Sequence, residues 1–187
     1  MLIDKTVGDL LDAFAAPVPA PAGGSASALA SAVGASLLLM VARLPGTRAE
    51  TNEDRRLLTA AVQSLSDLQR QLAGAVDADA DAYARVISAR GEAKQEALLA
   101  AIEVPLQVMR WSAGALGHAK VIAAHCHRST SSDVRVGVGL LRAGFEGARS
   151  SAIDNLRRIS NRTYVDATGK DIERLSAEAG SARDTTI

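Results

Sequence analysis

From Glu50 to Arg90 the chain carries neither Pro nor a tight-turn dipeptide. Over this interval Leu58, Leu65, Leu72 and Val86 fall on a seven-residue grid, with Ala61, Leu68, Ala75 and Ala82 interleaved. One long helix with a coiled-coil-like seam gives all of these side chains a common face. Hydrophobic residues make up 48% of the 187 residues but aromatics only 3%, with Ala and Gly supplying the bulk. Such a supply of small side chains favours closely packed helices over a sandwich or barrel. The expected fold is all-α, a bundle of five to seven helices with long central ones and no strands. A single domain over residues 1–187 accommodates it, since a chain of this length buries roughly two thirds of its unfolded surface.

Other helices follow from the same periodicity. Val7, Leu10, Leu11 and Phe14 trace a short amphipathic first helix, and Pro17, Pro19 and Pro21 place a loop after it. A helix apolar nearly all round then runs from Ser25 to about Arg43, fit for a bundle centre or for a second copy of itself. No charge occurs between Asp12 and Arg43, but the prolines and Ser25, Ser27, Ser31, Gly34 and Ser36 leave the continuously apolar part too short for a bilayer. Leu44-Pro45-Gly46 stops this helix. A region from Glu92 to about His125 contains Pro105, which predicts a kink or a division in two. The polar stretch 127–133 reads as loop and cap before a helix whose buried stripe is Val134, Val138, Leu141, Phe145, Ala148, Ala152 and Ile159. In the C-terminal tail, residues 161–187, Thr168-Gly-Lys-Asp171 resembles a capping box for a final short helix.

Lys plus Arg and Asp plus Glu both number 21, so net charge gives no case for a nucleic-acid or membrane partner. Cys126 is the sole cysteine, and the N-terminus lacks a basic region followed by an apolar core, which makes the cytoplasm the default compartment. The uncharged helix and the long seam offer more apolar surface than so small a bundle easily covers, so a homodimer is expected.

One residue breaks the leucine seam. The position between Leu72 and Val86 is Asp79, aimed inward, whereas Asp77 and Asp81 project to the opposite side at about 100° per residue. A carboxylate so placed is a poised acid/base group, the partner of a buried Arg, or a sign that the helix is rotated until all three Asp meet water. A second feature is residues 19–31, PAPAGGSASALAS, where Gly23 and Gly24 lead into a helix capped by Ser25. Free N–H groups there can hold an anion or a carbonyl oxygen, although ordinary capping explains the pattern too. With no Lys and no preceding strand it is neither a P-loop nor a dinucleotide fingerprint. His125 and His127, two apart, fall on opposite faces of a helix and no acidic or Cys cluster completes a metal set. Cys126 reads as a small buried thiol. Arg128, Arg135, Arg142 and Arg149 form a flank that either meets solvent or a partner, or binds an acidic ligand tail. Asp133, Ser151 and Asn155 share the other flank, at angles that allow them to line one cavity with Asp79.

Taken together, several of these motifs resemble the formiminotetrahydrofolate cyclodeaminase / methenyltetrahydrofolate cyclohydrolase family. The Pro/Gly loop leads into an Ala-rich helix ending in Met40-Val41-Ala42, and residues 77–89, DADADAYARVISA, are similar to the family's Asp-rich motif with Asp79 on its acidic position. VPLQVM from Val104 resembles the family's Val-Pro-Leu helix, Ser132-Asp133-Val134 its Ser-Asp step, and Asn155 its closing Asn. These matches run in order over about residues 6 to 160. Ala22-Gly23-Gly24 stands where relatives have three glycines, Cys126-His127 where they have Gly-Asn, Arg90-Gly91-Glu92 where they have Leu-Pro-Lys, and residues 151–155 retain only the last Asn of Asn-Val-x-Ile-Asn.

The resemblance implies a dimeric helical enzyme acting on a tetrahydrofolate derivative, without metal or nucleotide, in either the cyclodeaminase or the cyclohydrolase direction. Asp79 becomes the catalytic acid/base. Gly23, Gly24 and Ser25 would hold the pterin or glutamyl carboxylates, Ser132 and Asp133 the pterin donors, with His127 and Asn155 completing the binding set. The glycine loop and the Ser132-Asp133 cap are thereby expected to border one cavity, within the chain or across a dimer. The opposing readings are a helical dimer that kept the fold while its pocket drifted, and a scaffold that binds partners through the Arg flank.

Overall fold

The computed structural model describes residues 1–181. Its elements are α1 (Val7–Ala15), α2 (Gly23–Arg43), α3 (Asn52–Ser88), α4 (Glu92–His125), a 3-10 turn (Arg128–Thr130), α5 (Ser131–Leu156) and α6 (Arg162–Ser181). No strand occurs among the described residues. The all-α expectation holds, with six α-helices among the described residues.

Local chemistry sets most of the ends. At the start of α3, Thr51 Oγ1 accepts the Asp54 N–H at 3.1 Å while Asp54 accepts the Thr51 N–H at 2.9 Å, a reciprocal cap. Gly91, with φ +57°, makes the sharp turn into α4. Pro105 neither ends nor splits α4, which runs unbroken for 34 residues. The N–H that Pro105 lacks would have bonded the Ala101 carbonyl, and Asn155 Nδ2 of α5 donates to that oxygen instead, at 3.1 Å. The tail differs from expectation as well. Asn161 Oδ1 accepts the Tyr164 N–H at 3.1 Å and opens α6, so Thr168 is a buried position inside that helix and not its cap.

The core is built around α2, which packs against α3, α4 and α5. At 21 residues it is long and apolar enough for a bilayer span, contrary to the length estimate from its sequence, yet it occupies the bundle centre. The α3 seam is buried, as expected of a common face, where α3 packs on α2 and α4. Leu65, Leu72, Val86, Ala61, Ala75 and Ala82 are buried, while Leu58 and Leu68 are partly so. The α1 stripe fares worse, because only Leu10 is buried there and Val7 and Leu11 stay 76% and 62% exposed.

Small residues decide how α2 meets α5. A Cβ on Gly34 would lie 2.6 Å from the Gly137 carbonyl oxygen, and one on Gly144 would lie 2.0 Å from Ser31 Oγ and 2.5 Å from the Ser27 carbonyl oxygen. Positions that rise along α2 meet positions that fall along α5, so the two helices are antiparallel in backbone contact. The buried Ser31 hydroxyl donates to Ser112 Oγ at 2.7 Å, and Ser112 donates its own proton to the Val108 carbonyl. Gly144→Ala should therefore lose about 1–3 kcal/mol through overpacking. Gly139→Ala, whose methyl meets nothing within 4 Å, should lose nothing. Urea unfolding of the two variants measures the contrast.

Candidate active site

The antiparallel α2–α5 pair brings the first turn of α2 beside the last turns of α5, and α3 passes both with Asp79. Ala22 occupies the N-cap of α2 and offers no side-chain bond. Ser25 is the third residue of the helix and not its cap. Its Oγ donates to Asp79 Oδ2 at 2.9 Å, and its backbone N–H also bonds that carboxylate. Asp79 thus caps α2 from a different helix, at the end where the peptide dipoles favour negative charge.

Two effects compete at this carboxylate. Burial raises its pKa above the ordinary value of 3.8, and the Ser25 bonds, which lower it, do not overcome burial. No Arg or Lys pairs with Asp79 among the described ion pairs, so the buried Asp–Arg reading is not what the molecule uses. The approach is close because residue 24 has no side chain. A Cβ there would lie 2.1 Å from Asp79 Oδ1.

Asp79 opens on a cavity of about 220 Å³. The Pro19–Gly24 segment forms one wall, Asp79, Ala82, Tyr83 and Val86 of α3 a second, and Ser151, Asp154, Asn155 and Arg158 at the end of α5 a third. Of the residues singled out from sequence, Gly23, Gly24, Asp79, Ser151 and Asn155 meet here, with Ser25 behind Asp79. Asn155 serves two purposes, since the side chain that borders the cavity also satisfies the carbonyl orphaned by Pro105. Asn155→Leu should cost about 1–3 kcal/mol by leaving that acceptor unpaired, a loss readable by thermal unfolding.

Other candidates lie elsewhere. Ser132 and Asp133 occupy the first turn of α5, about 30 Å along the helix from Asp154 at 1.5 Å per residue. His127 packs on Gly46 in a small cleft with Leu44 and Pro45. Within one chain, then, the glycine loop and the Ser132-Asp133 cap do not share a cavity, because antiparallel packing sets them at opposite ends. Asp77 is not solvated as its angle suggested, for its carboxylate accepts the backbone N–H groups of Leu2 and Ile3. Asp81 is exposed.

His125 and His127 do not share a helix, since α4 ends at His125. His125 Nε2 lies 3.2 Å from Asp54 Oδ1, tying α4 to the α3 cap, and its bond to the Val121 carbonyl with the nearby Asp54 raises the imidazole pKa. The Arg flank is not continuous. Arg128 belongs to the 3-10 turn, Arg135 is exposed, and Arg142 and Arg149 line a separate cleft with Ser176 and Ala179 of α6. Among the described residues no three His, Cys, Asp or Glu side chains converge as a metal site would need.

Sequence reasoning passed over Tyr83, Asp154 and Arg158 as site residues. The signal was present for all three. Tyr83 lies one turn beyond Asp79, and Asp154 and Arg158 lie three and seven residues beyond Ser151, spacings that share a helix face.

Comparison with known proteins bears on this geometry. A family model described as formiminotransferase-cyclodeaminase matches residues 6–174. The methenyltetrahydrofolate cyclohydrolase of Methylorubrum extorquens is 29% identical over 191 residues, covering 95% of this chain and 92% of that protein. The formimidoyltransferase-cyclodeaminase of Gallus gallus is 28% identical over 196 residues, but the match spans only 36% of that longer protein. The crystal structure of formiminotetrahydrofolate cyclodeaminase from Thermotoga maritima shares the fold, with a TM-score of 0.90 at 20% identity over 97% of this chain and 93% of that one. With its matched region extending over nearly the whole sequence, the chain belongs to the formiminotransferase-cyclodeaminase family.

Proposed function

We propose that this protein is a folate one-carbon enzyme that closes or opens the bridge between two tetrahydrofolate nitrogens. In one direction a formimino group cyclises to the methenyl bridge with loss of ammonia; in the other, water adds to the methenyl carbon. Each requires a proton delivered to or taken from nitrogen beside a cationic, amidine-like carbon. The observation that carries the reading is Asp79, a half-buried carboxylate with raised proton affinity, held by Ser25 and facing a cavity. Ionised, it stabilises the cation; protonated, it supplies the departing nitrogen. Gly23 and Gly24 hold the pterin through backbone N–H groups at the start of α2, and Asn155 borders the ring. The cyclohydrolase and cyclodeaminase names of the relatives support both directions. The test mixes purified protein with 5,10-methenyltetrahydrofolate and follows its absorbance, with ammonia release from the 5-formimino compound assayed in parallel. Failure in both assays overturns the reading.

The site is assigned to a cytoplasmic homodimer. Val33 and Met40 on the outer face of α2 and Val136 on α5 are 43%, 41% and 53% exposed, apolar side chains left uncovered by the described residues. A two-fold axis crossing α2 near Val33 would set the start of one α2 beside the end of the other, where α5 begins. The Ser132-Asp133 end of a second copy would then close the cavity that a single chain leaves open. Sedimentation at micromolar concentration should give the dimer mass, and a monomer would remove this arrangement.

A further inference from the structure

Among the described residues Arg158 is the single cation that lines the Asp79 cavity. It follows the end of α5, where its backbone N–H bonds the Asn155 carbonyl at 3.0 Å and so keeps the turn that carries Asn155 closed. The residue is exposed, and among the described residues its guanidinium makes no ion pair or side-chain hydrogen bond. Its neighbours are differently placed. Asp154, one helical turn back and also bordering the cavity, pairs with Arg157 at 2.9 Å and not with Arg158. A guanidinium with its fork of donors free, at the mouth of a cavity whose inner group is a carboxylate, matches a ligand that is cationic where it reacts and anionic at its far end.

Size adds the second half. Sites that enclose a drug-sized molecule run to about 300–1,000 Å³. The cavity within one chain, about 220 Å³, falls short of that range, so a whole folate extends beyond it. The aryl-glutamate part then lies along the rim, which the exposed Arg158 lines.

We propose that Arg158 is a specificity residue that binds a carboxylate of the substrate's glutamyl tail. The assignment rests on the folate reading above. It replaces the flank of Arg142 and Arg149, which lines another cleft, as the place where an acidic tail is held.

The test is steady-state kinetics of the wild type, Arg158→Gln and Arg158→Lys on two compounds: 5,10-methenyltetrahydrofolate, and the same compound ending in an uncharged benzamide in place of the benzoylglutamate. On the intact substrate Arg158→Gln should raise KM about tenfold with kcat within twofold, the size of one charge-assisted contact at a partly solvated site. Arg158→Lys should recover part of that loss, and the effect should shrink as salt is added. On the benzamide all three proteins should share one KM, and thermal unfolding should not change. Turnover of the intact substrate with unaltered KM in Arg158→Gln, or an equal rise on both compounds, would overturn the assignment while leaving the folate reading standing. A wild type that turns over neither compound and releases no ammonia from the 5-formimino compound overturns both.

Discussion

Asp79→Asn lowers turnover by roughly two to four orders of magnitude and leaves the fold standing. The substitution keeps the volume and the acceptor that Ser25 reaches at 2.9 Å, but removes both the charge and the transferable proton. Its effect on stability has a definite sign. Because burial raises the pKa of Asp79 in the folded chain, the folded state binds its proton more tightly than the unfolded state does, and the ionised carboxylate opposes folding at neutral pH. That opposition disappears as pH falls below the unfolded value of 3.8, where both states are protonated. Asn cannot ionise, so the variant should be at least as stable as the wild type at pH 7, with the advantage shrinking toward pH 4. Asp81→Asn, on an exposed position, should leave turnover alone, and Asp77→Asn should loosen the N-terminal strap at Leu2 and Ile3 without touching the chemistry. Thermal unfolding at two pH values together with folate turnover reads all three. A stable Asp79→Asn protein with undiminished turnover would show that the acid lies elsewhere.

Gly24→Ala reduces turnover by about a hundredfold, the order expected when a reacting group is displaced by about 1 Å. The added methyl would sit 2.1 Å from Asp79 Oδ1 and 2.5 Å from its Cγ, distances no pair of real atoms keeps. The carboxylate must swing away, since the alternative is to move the first turn of α2, which is packed against α3 and α5. Gly23→Ala, one residue earlier and with nothing within 4 Å, supplies the comparison, and its turnover should stay within a few-fold of the wild type. Equal losses in the two variants would mean that backbone freedom in the loop, and not the approach of Asp79, is what residue 24 provides.

The relation of these two residues illustrates which parts of the molecule were legible beforehand. Asp79 stood out because a charge interrupts a leucine register that continues on both sides of it, and burial of that register in α3 bears out the inward direction. Gly24 was visible as part of a ligand loop, but its fitted contact with Asp79 joins positions 55 residues apart that no periodicity links. Ser25 shows the same limit. Its type and place suggested a cap for its own helix, yet the chain begins α2 two residues earlier and gives that hydroxyl to Asp79. Asn155 was identified by its angle on the helix and by resemblance; that it answers for the N–H missing at Pro105 depends on α4 and α5 lying side by side.

The sequence by itself determined the helical class, the long seam, the helix-stopping turns and the inward carboxylate, because each rests on spacing along one segment and on backbone chemistry a few residues wide. The tertiary structure alone decided which segments share a cavity. Glycines on α2 and α5 let the two backbones touch in antiparallel register, so the start of one helix meets the end of the other. That single packing choice gathered Gly24, Asp79, Asn155 and Arg158 at one end and carried Ser132, Asp133 and His127 to the other. Direction of packing is a property of two surfaces in contact, and the pattern of residues along either helix is compatible with both directions.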